Sequence, residues 1–238
     1  MRLATTNLWN GGGRRIEALS AHIARTDADI HVLSEYRQGI PASTRLNAQL
    51  SDLGYTIHCN WQGTNQNTVA IAARGPVRHI ETDPAWTRWI VDVDVGGLRV
   101  TGLYAPQPRP ATGFHSRFVD HLIGSEGPRV VIGDWNAGLH FVDEASNSMS
   151  EHDAILRLHQ AGLAECWLFR HGITAPEHTW FSPQRQNGFR IDQAFVSADL
   201  IHAIRSADYD HDIRHQGLSD HSSLSISLDL LAPARRSD

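Results

Sequence analysis

The chain has 238 residues, which suits one large α/β domain or two small ones, and its 41% hydrophobic and 20% charged residues are ordinary for a soluble globular protein with a sizeable core. Its formal charge of −5 provides no overall basic field to recruit nucleic acid, so any such contact rests on a local groove. No apolar run is long enough for a membrane span, "MRLATTNLW" has no signal-peptide core, and Cys59 and Cys166 are too few for a disulfide framework; the expectation is a cytoplasmic protein.

Residues 2 to 8 read as a strand running into the glycine turn "NGGG". Ile16, Leu19 and Ile23 then keep helical spacing from Arg14 to about Thr26. "DIHVLSE" reads as a buried strand ending at Glu35, and Leu46, Leu50 and Leu53 mark a second helix stopped by Gly54. The period then changes to two. Strands are expected over 54–60 and 67–74, and a hairpin over 88–104 turning at Gly96-Gly97. A helix near 114–123 precedes the apolar run Val130, Val131, Ile132, and another helix spans about 151–161. "RIDQAFVS" and "SSLSISLDL" are further strands, the last alternating at Leu224, Ile226, Leu228 and Leu230. No linker or repeat divides the chain, so a single domain over 1–238 is expected, with its core at about 2–229 and a short tail at 231–238. The pattern implies two packed mixed sheets flanked by helices.

Several of these strands end in polar groups that a core would not choose. They are Asn7, Glu35, Tyr104, the pair Asp134 and Asn136 around Trp135, Asp192 between apolar neighbours, and Asp220-His221. Each alone has a plain structural reading as a turn former, cap or core residue, and Asp192 could pair with Arg190 or another arginine. Together they suit phosphoester hydrolysis, which needs a hard cation on carboxylate oxygens, a base for water and donors around developing charge. Glu35 with Asn7 can seat Mg²⁺, with Asp134 as the base and Asn136 holding the phosphate or water. His221 can donate to a phosphate oxygen, with Asp220 on its other ring nitrogen.

In order, "NLWNG", "LSEYR", "LYAPQ", "GDWNAG", "RIDQAFVS" and "SDHSS" resemble the endonuclease/exonuclease/phosphatase superfamily across residues 2–229. The resemblance implies a four-layer α/β sandwich. It also implies Mg²⁺ (with Mn²⁺ as substitute) held by Asn7, Glu35 and Asp220, and Tyr104 beside the scissile phosphate. Asp134 would activate water, Asn136 would position it, and Asp192, Asp220 and His221 would complete the catalytic set. "LHQAGLAECWLFRHG" followed by "HTWFSPQRQNGFRIDQAFVS" is most similar to exonuclease-III-like abasic-site endonucleases. In that branch the positions of Trp180, Phe189 and Ile191 line a pocket for a base-free sugar. Trp9 stands where the branch carries Asn or Asp, and Glu165 where it carries Asp. Its Lys-rich DNA loops have no counterpart, so Arg14, Arg15, Arg109, Arg185 and Arg190 are left to contact phosphates.

His211 and His215 invite a zinc reading, but "SADYDHDIRH" reads as strand and loop, and no G-x-S-x-G elbow supports a serine hydrolase. The expectation is a Mg²⁺-dependent DNA nuclease of abasic-endonuclease or 3′-5′ exonuclease type, with no membrane and no obligate protein partner. The alternative is a phosphatase or phosphodiesterase acting on a small or lipid phosphoester. A non-catalytic binding module comes last, since every principal site position is filled.

Overall fold

The computed structural model describes residues 1–107, 113–149 and 151–230. Arg109 and the tail at 231–238 lie outside these residues. The first half runs β1 (Arg2–Asn7), α1 (Ile16–Thr26), β2 (Ile30–Arg37), α2 (Pro41–Asp52), β3 (Tyr55–His58) and β4 (Asn67–Arg74). Next come β5 (Arg78–Ile80), β6 (Ile90–Val95), β7 (Leu98–Tyr104), α3 (Phe114–Ile123), β8 (Arg129–Asp134) and α4 (His152–Gln160). The last part holds β9 (Ala164–Glu165), α5 (Cys166–His171), β10 (Trp180–Phe181), β11 (Gly188–Phe189), β12 (Asp192–Val196), β13 (Ile204–Asp210), α6 (Asp212–His215) and β14 (Ser223–Leu228).

Two six-stranded sheets result, ordered β13-β14-β1-β2-β4-β3 and β5-β6-β7-β8-β12-β9. Each is mixed. At the centre of each, a helix carries the chain between two parallel neighbours, α1 between β1 and β2, and α3 between β7 and β8. Alternation sends one face of each strand into the space between the sheets, where Val32, Ile71, Val100, Val130, Ile132 and Ile226 pack. The opposite faces are covered by helices. Ile16, Leu19, Ile23, Leu46 and Leu50 of α1 and α2 close the first sheet, while Phe118, Leu122, Ile155 and Leu158 of α3 and α4 close the second. The result is the expected helix–sheet–sheet–helix sandwich. The sheets approach so closely at Gly102 of β7 that a Cβ there would lie 2.9 Å from Ile71 Cγ1 and 3.2 Å from Val32 Cγ1.

The periodic strands and helices fall where expected, with shifts at their ends. Leu53 and Leu230 lie beyond their elements and are exposed. "SADYDHDIRH" forms β13 and the single-turn α6, and the His211 and His215 rings are 6.2 Å apart. Among the described residues, the one group of three or more His, Cys, Asp or Glu side chains close enough to share a metal is Asp134, Asp192 and His221, which includes neither His211 nor His215. No described helix is long and apolar enough to cross a membrane.

Candidate active site

The C-terminal ends of the central parallel strands meet at one edge of the sandwich. β1 ends at Asn7, β2 carries Glu35, β7 ends at Tyr104, and β8 ends at Asp134 in register with Tyr104. β12 runs antiparallel to β8 and begins with Asp192 directly opposite Asp134. Asp220 and His221 precede β14, which is antiparallel to β1, so they arrive at the same edge.

Local backbone features aim these groups. Glu35 sits at a register shift between Ser34 and Tyr36 with φ 54°, a bulge that turns its side chain out of the strand alternation. Gly133 is required ahead of Asp134, because a Cβ there would land 1.9 Å from the Leu103 carbonyl oxygen. Trp135 is fully buried against Phe118 and Phe195, which leaves Asp134 and Asn136 to the cleft side.

The cleft encloses about 420 Å³ and is lined by Glu35, Asp134, Asn136, Trp180, Phe189, Ile191, Asp220 and His221, with Gln107, Ser148 and Met149. Asn7 and Tyr104 form its buried floor. Asn7 Nδ2 donates to Asp134 Oδ2 at 3.1 Å and, longer, to Glu35 Oε1 at 3.5 Å. Asp134 Oδ1 accepts the Asn136 N–H at 3.0 Å, and Asn136 Nδ2 donates to the Ala105 carbonyl at 2.8 Å. Glu35 Oε2 accepts from the Asn10 N–H at 2.6 Å and Asn67 Nδ2 at 2.9 Å. Burial lifts the Asp134 carboxyl, against the pull of His221 and with the push of Asp192, to about 8. Burial alone would lower the His221 imidazole, but the charge and hydrogen bond of Asp192, then Asp134 and Asp220, raise it to about 10. The ring is therefore held charged at neutral pH. Burial, then Glu35 and Asp134, push the Tyr104 phenol up, so it stays a neutral donor.

Several assignments change. The acid on His221 Nδ1 is Asp192, at 2.8 Å, and not Asp220. Asp192 is thereby matched to a histidine instead of an arginine. Asn7, expected to offer an oxygen to a cation, uses Oδ1 to accept the Trp9 N–H at 2.8 Å and turns its NH₂ to the carboxylates. Arg190 is no phosphate ligand. It is completely buried, paired with Asp143, with Glu165 at 2.9 Å, and lies 5.3 Å from the Trp167 ring centroid. Glu165 also accepts the Leu168 N–H at 2.7 Å and caps α5, a contact that an Asp could also make. Arg15 is likewise committed to backbone, donating to the carbonyls of Leu218 at 2.6 Å and Trp9 at 2.5 Å. Arg14 and Arg185 are exposed.

Trp180 and Phe189 pair across β10 and β11 with rings 5.8 Å apart, and Ile191 follows on the same wall. Single bridges tie this hairpin to Glu144 on one side and His221 on the other. Sequence reasoning missed Asn67 and Asn10, the two supports of Glu35, because Asn10 reads as a turn residue and Asn67 as the first residue of a strand. It also missed Ser148 and Met149, which come from an irregular segment with no period to follow. That segment is folded by its own acids: Asp143 accepts the Leu139 N–H at 2.6 Å, and Glu144 accepts Ser148 Oγ at 2.5 Å and the Met149 N–H at 2.7 Å.

Solved structures share this architecture. The chain superposes on an AP endonuclease from Archaeoglobus fulgidus with a TM-score of 0.80 at 17% identity, covering 97% of this chain and 100% of that one. It superposes on the 3′ phosphatase NExo from Neisseria, bound to a product DNA hairpin, with a TM-score of 0.77 at 22% identity over 96% and 99% of the two chains. For the 3′-5′ exonuclease NExo from Neisseria meningitidis the TM-score is 0.75 at 22% identity, over 96% and 100%. Among curated proteins none matches the chain significantly. The profile of the Endonuclease/Exonuclease/phosphatase family matches residues 4–221, the span that holds every site residue from Asn7 to His221, and the chain belongs to that family.

Proposed function

We propose that the protein is a Mg²⁺-dependent phosphodiester hydrolase acting on DNA, at abasic sites or 3′ ends. The observation that carries this reading is one cleft with two ends: a carboxylate end of Glu35, Asp134 and Asp220, and an apolar wall of Trp180, Phe189 and Ile191. A hard cation fits the first end. Asp220 Oδ1 is a buried acceptor with no partner, and among the described residues neither Glu35 nor Asp220 is ion-paired, whereas Asp192 is neutralised by His221. Glu35 and Asp220 would hold the ion, and Mn²⁺ would substitute. Bound there, it supplies polarisation of a phosphoryl oxygen and offsets developing charge.

The chain's own residues supply the rest. Asp134, fixed by the Asn7 amide and the Asn136 N–H, takes the proton from the attacking water, and its raised affinity for protons suits it to that task near neutral pH. His221, its Nδ1 engaged by Asp192, offers a charged N–H from Nε2 to a phosphate oxygen. Asn136 and the neutral Tyr104 hydroxyl hold the phosphate, and the apolar wall packs against a sugar that has lost its base or lies at a strand end.

The test uses end-labelled DNA duplexes carrying one abasic-site analogue, a 3′-phosphate end or no lesion, with Mg²⁺. Processing of a modified substrate that is lost with EDTA and with Asp134→Asn supports the reading. Intact DNA throughout, with hydrolysis of small phosphodiesters or phosphomonoesters, moves the function to a small or lipid phosphoester. The acidic charge of −5 favours that second reading.

A further inference from the structure

Arg37 and Arg88 differ from the ion-paired arginines of this chain. Arg74, Arg99, Arg157 and Arg190 each face a carboxylate. Among the described residues no carboxylate lies in ion-pair range of Arg37 or Arg88. Arg37 donates from Nε to Asn67 Oδ1 at 2.5 Å and from an NH₂ group to Asn10 Oδ1. Arg88 donates from Nε to the Asn67 carbonyl at 3.0 Å, and its guanidinium lies over the Trp89 ring at 4.5 Å and the Trp61 ring at 5.8 Å. Both are fixed in place by neutral oxygens, so their positive charge is not cancelled. Asn67 joins them, and the same Asn67 side chain donates to Glu35. Trp89 in turn lies 5.8 Å from the Tyr104 ring. The two arginines are therefore tied, through Asn67, to the Glu35 end of the cleft.

Trp9 adds an aromatic surface at the same end. It is 39% exposed, precedes Asn10, whose N–H meets Glu35, and has the Arg15 guanidinium 4.4 Å from its ring centroid. Its φ of 49° is costly for a bulky residue, and Arg15 holds it there by accepting nothing and donating to its carbonyl. An indole supported on one face and open to solvent is a ready stacking surface. A guanidinium seated on Trp89 is a second.

We infer that Trp9, Arg37 and Arg88 form a strip that binds an unpaired stretch of nucleic acid, phosphates on the arginines and bases on the Trp9 and Arg88 faces, leading away from the scissile bond past Glu35. The inference rests on the nucleic-acid reading of the cleft and names the part of that substrate engaged there. A small phosphoester has no second phosphate or base for these groups to meet. Uncancelled charge interleaved with flat faces is what sequence-tolerant single-strand binding requires. The strip also explains how a chain with net charge −5 engages a polyanion.

The experiment is fluorescence anisotropy of a fluorescein-labelled 12-nucleotide single strand, in EDTA so that binding is read without cleavage, across a salt series. Trp9→Ala is expected to weaken binding about tenfold, as loss of a stacking partner does, while Trp9→Phe stays within about threefold of wild type. Arg37→Gln and Arg88→Gln should each flatten the slope of log affinity against log salt by about 0.7, one phosphate contact on a single strand. Arg25→Gln, on α1, removes the same charge elsewhere and serves as the reference. Wild-type binding with all four strip variants matching Arg25→Gln overturns the strip and leaves the nuclease reading standing. Failure of the wild type to bind the strand, together with intact DNA in the cleavage assay, overturns both.

Discussion

Exchanging Asp134 for Asn keeps the shape of the cleft floor but leaves one oxygen for the two donors, Asn7 Nδ2 and the Asn136 N–H, and removes the proton acceptor. Turnover is expected to fall by about 10²–10⁴-fold, with thermal stability unchanged or higher, since a buried carboxyl is relieved. Single-turnover rates and a melting curve check this; retained turnover would remove Asp134 as base. Glu35→Gln should instead raise the Mg²⁺ needed for half-maximal rate by about tenfold or more, and an unmoved metal titration would take Glu35 out of the cation seat. The site's residues were legible in the sequence as polar groups at strand ends, but their pairing was not. Asp220 and His221 are adjacent in the chain, and in extended backbone adjacent side chains point to opposite sides. Asp192, remote in sequence and carried on the other sheet, therefore reaches the ring that Asp220 does not. Arg190 was misread for the same reason: its partners Asp143 and Glu165 are 47 and, by subtraction, 25 residues away, beyond any local pattern.

At the scale of elements, Arg190 ties the start of β12 to β9 and to the segment after β8, so its loss should be felt as fold stability. Arg190→Met would leave two buried carboxylates unpaired and is expected to cost about 3–5 kcal/mol in urea unfolding. An unchanged midpoint would mean the network is replaceable. A second titratable group lies under α1, where burial, with a smaller push from His22, holds the His31 imidazole of β2 down at about 3. The unfolded chain takes up this proton first, near the ordinary value of about 6.5. Stability from neutral His31 is thus complete above about pH 6.5 and drains as pH falls toward 3, at up to about 1.4 kcal/mol per pH unit. Urea midpoints between pH 7 and pH 4 should fall less steeply for His31→Gln; equal slopes would place the acid sensitivity elsewhere. Long strands such as β2, β4, β7 and β14 were readable because their period is two. The two-residue strands β9, β10 and β11 are too short to show a period, and only the pairing partners that tertiary packing supplies make them strands.

For the whole molecule, the site depends on how the two sheets lie against each other, since Glu35 belongs to one and Asp134 and Asp192 to the other. Gly102 sits where the facing sheet leaves no room for a side chain. Gly102→Val should wedge them apart, costing about 1–3 kcal/mol and lowering kcat/KM beyond what that loss of stability explains. Activity measured well below the melting temperature, against an equally destabilised variant remote from the cleft, decides it; equal activities would uncouple sheet spacing from chemistry. The overall sandwich could be read from the alternation of elements, whereas the sheet order could not, because the chain returns to its first sheet only at the end. That return has a consequence for a protein being made. β14 pairs beside β1 after roughly two hundred intervening residues have been added, and Asp220 and His221 come with it. A ribosome-bound chain carrying Asn7, Glu35 and Asp134 therefore has the floor of the cleft without its histidine and with one flank of β1 still open. The site is completed only when the final strand zips in.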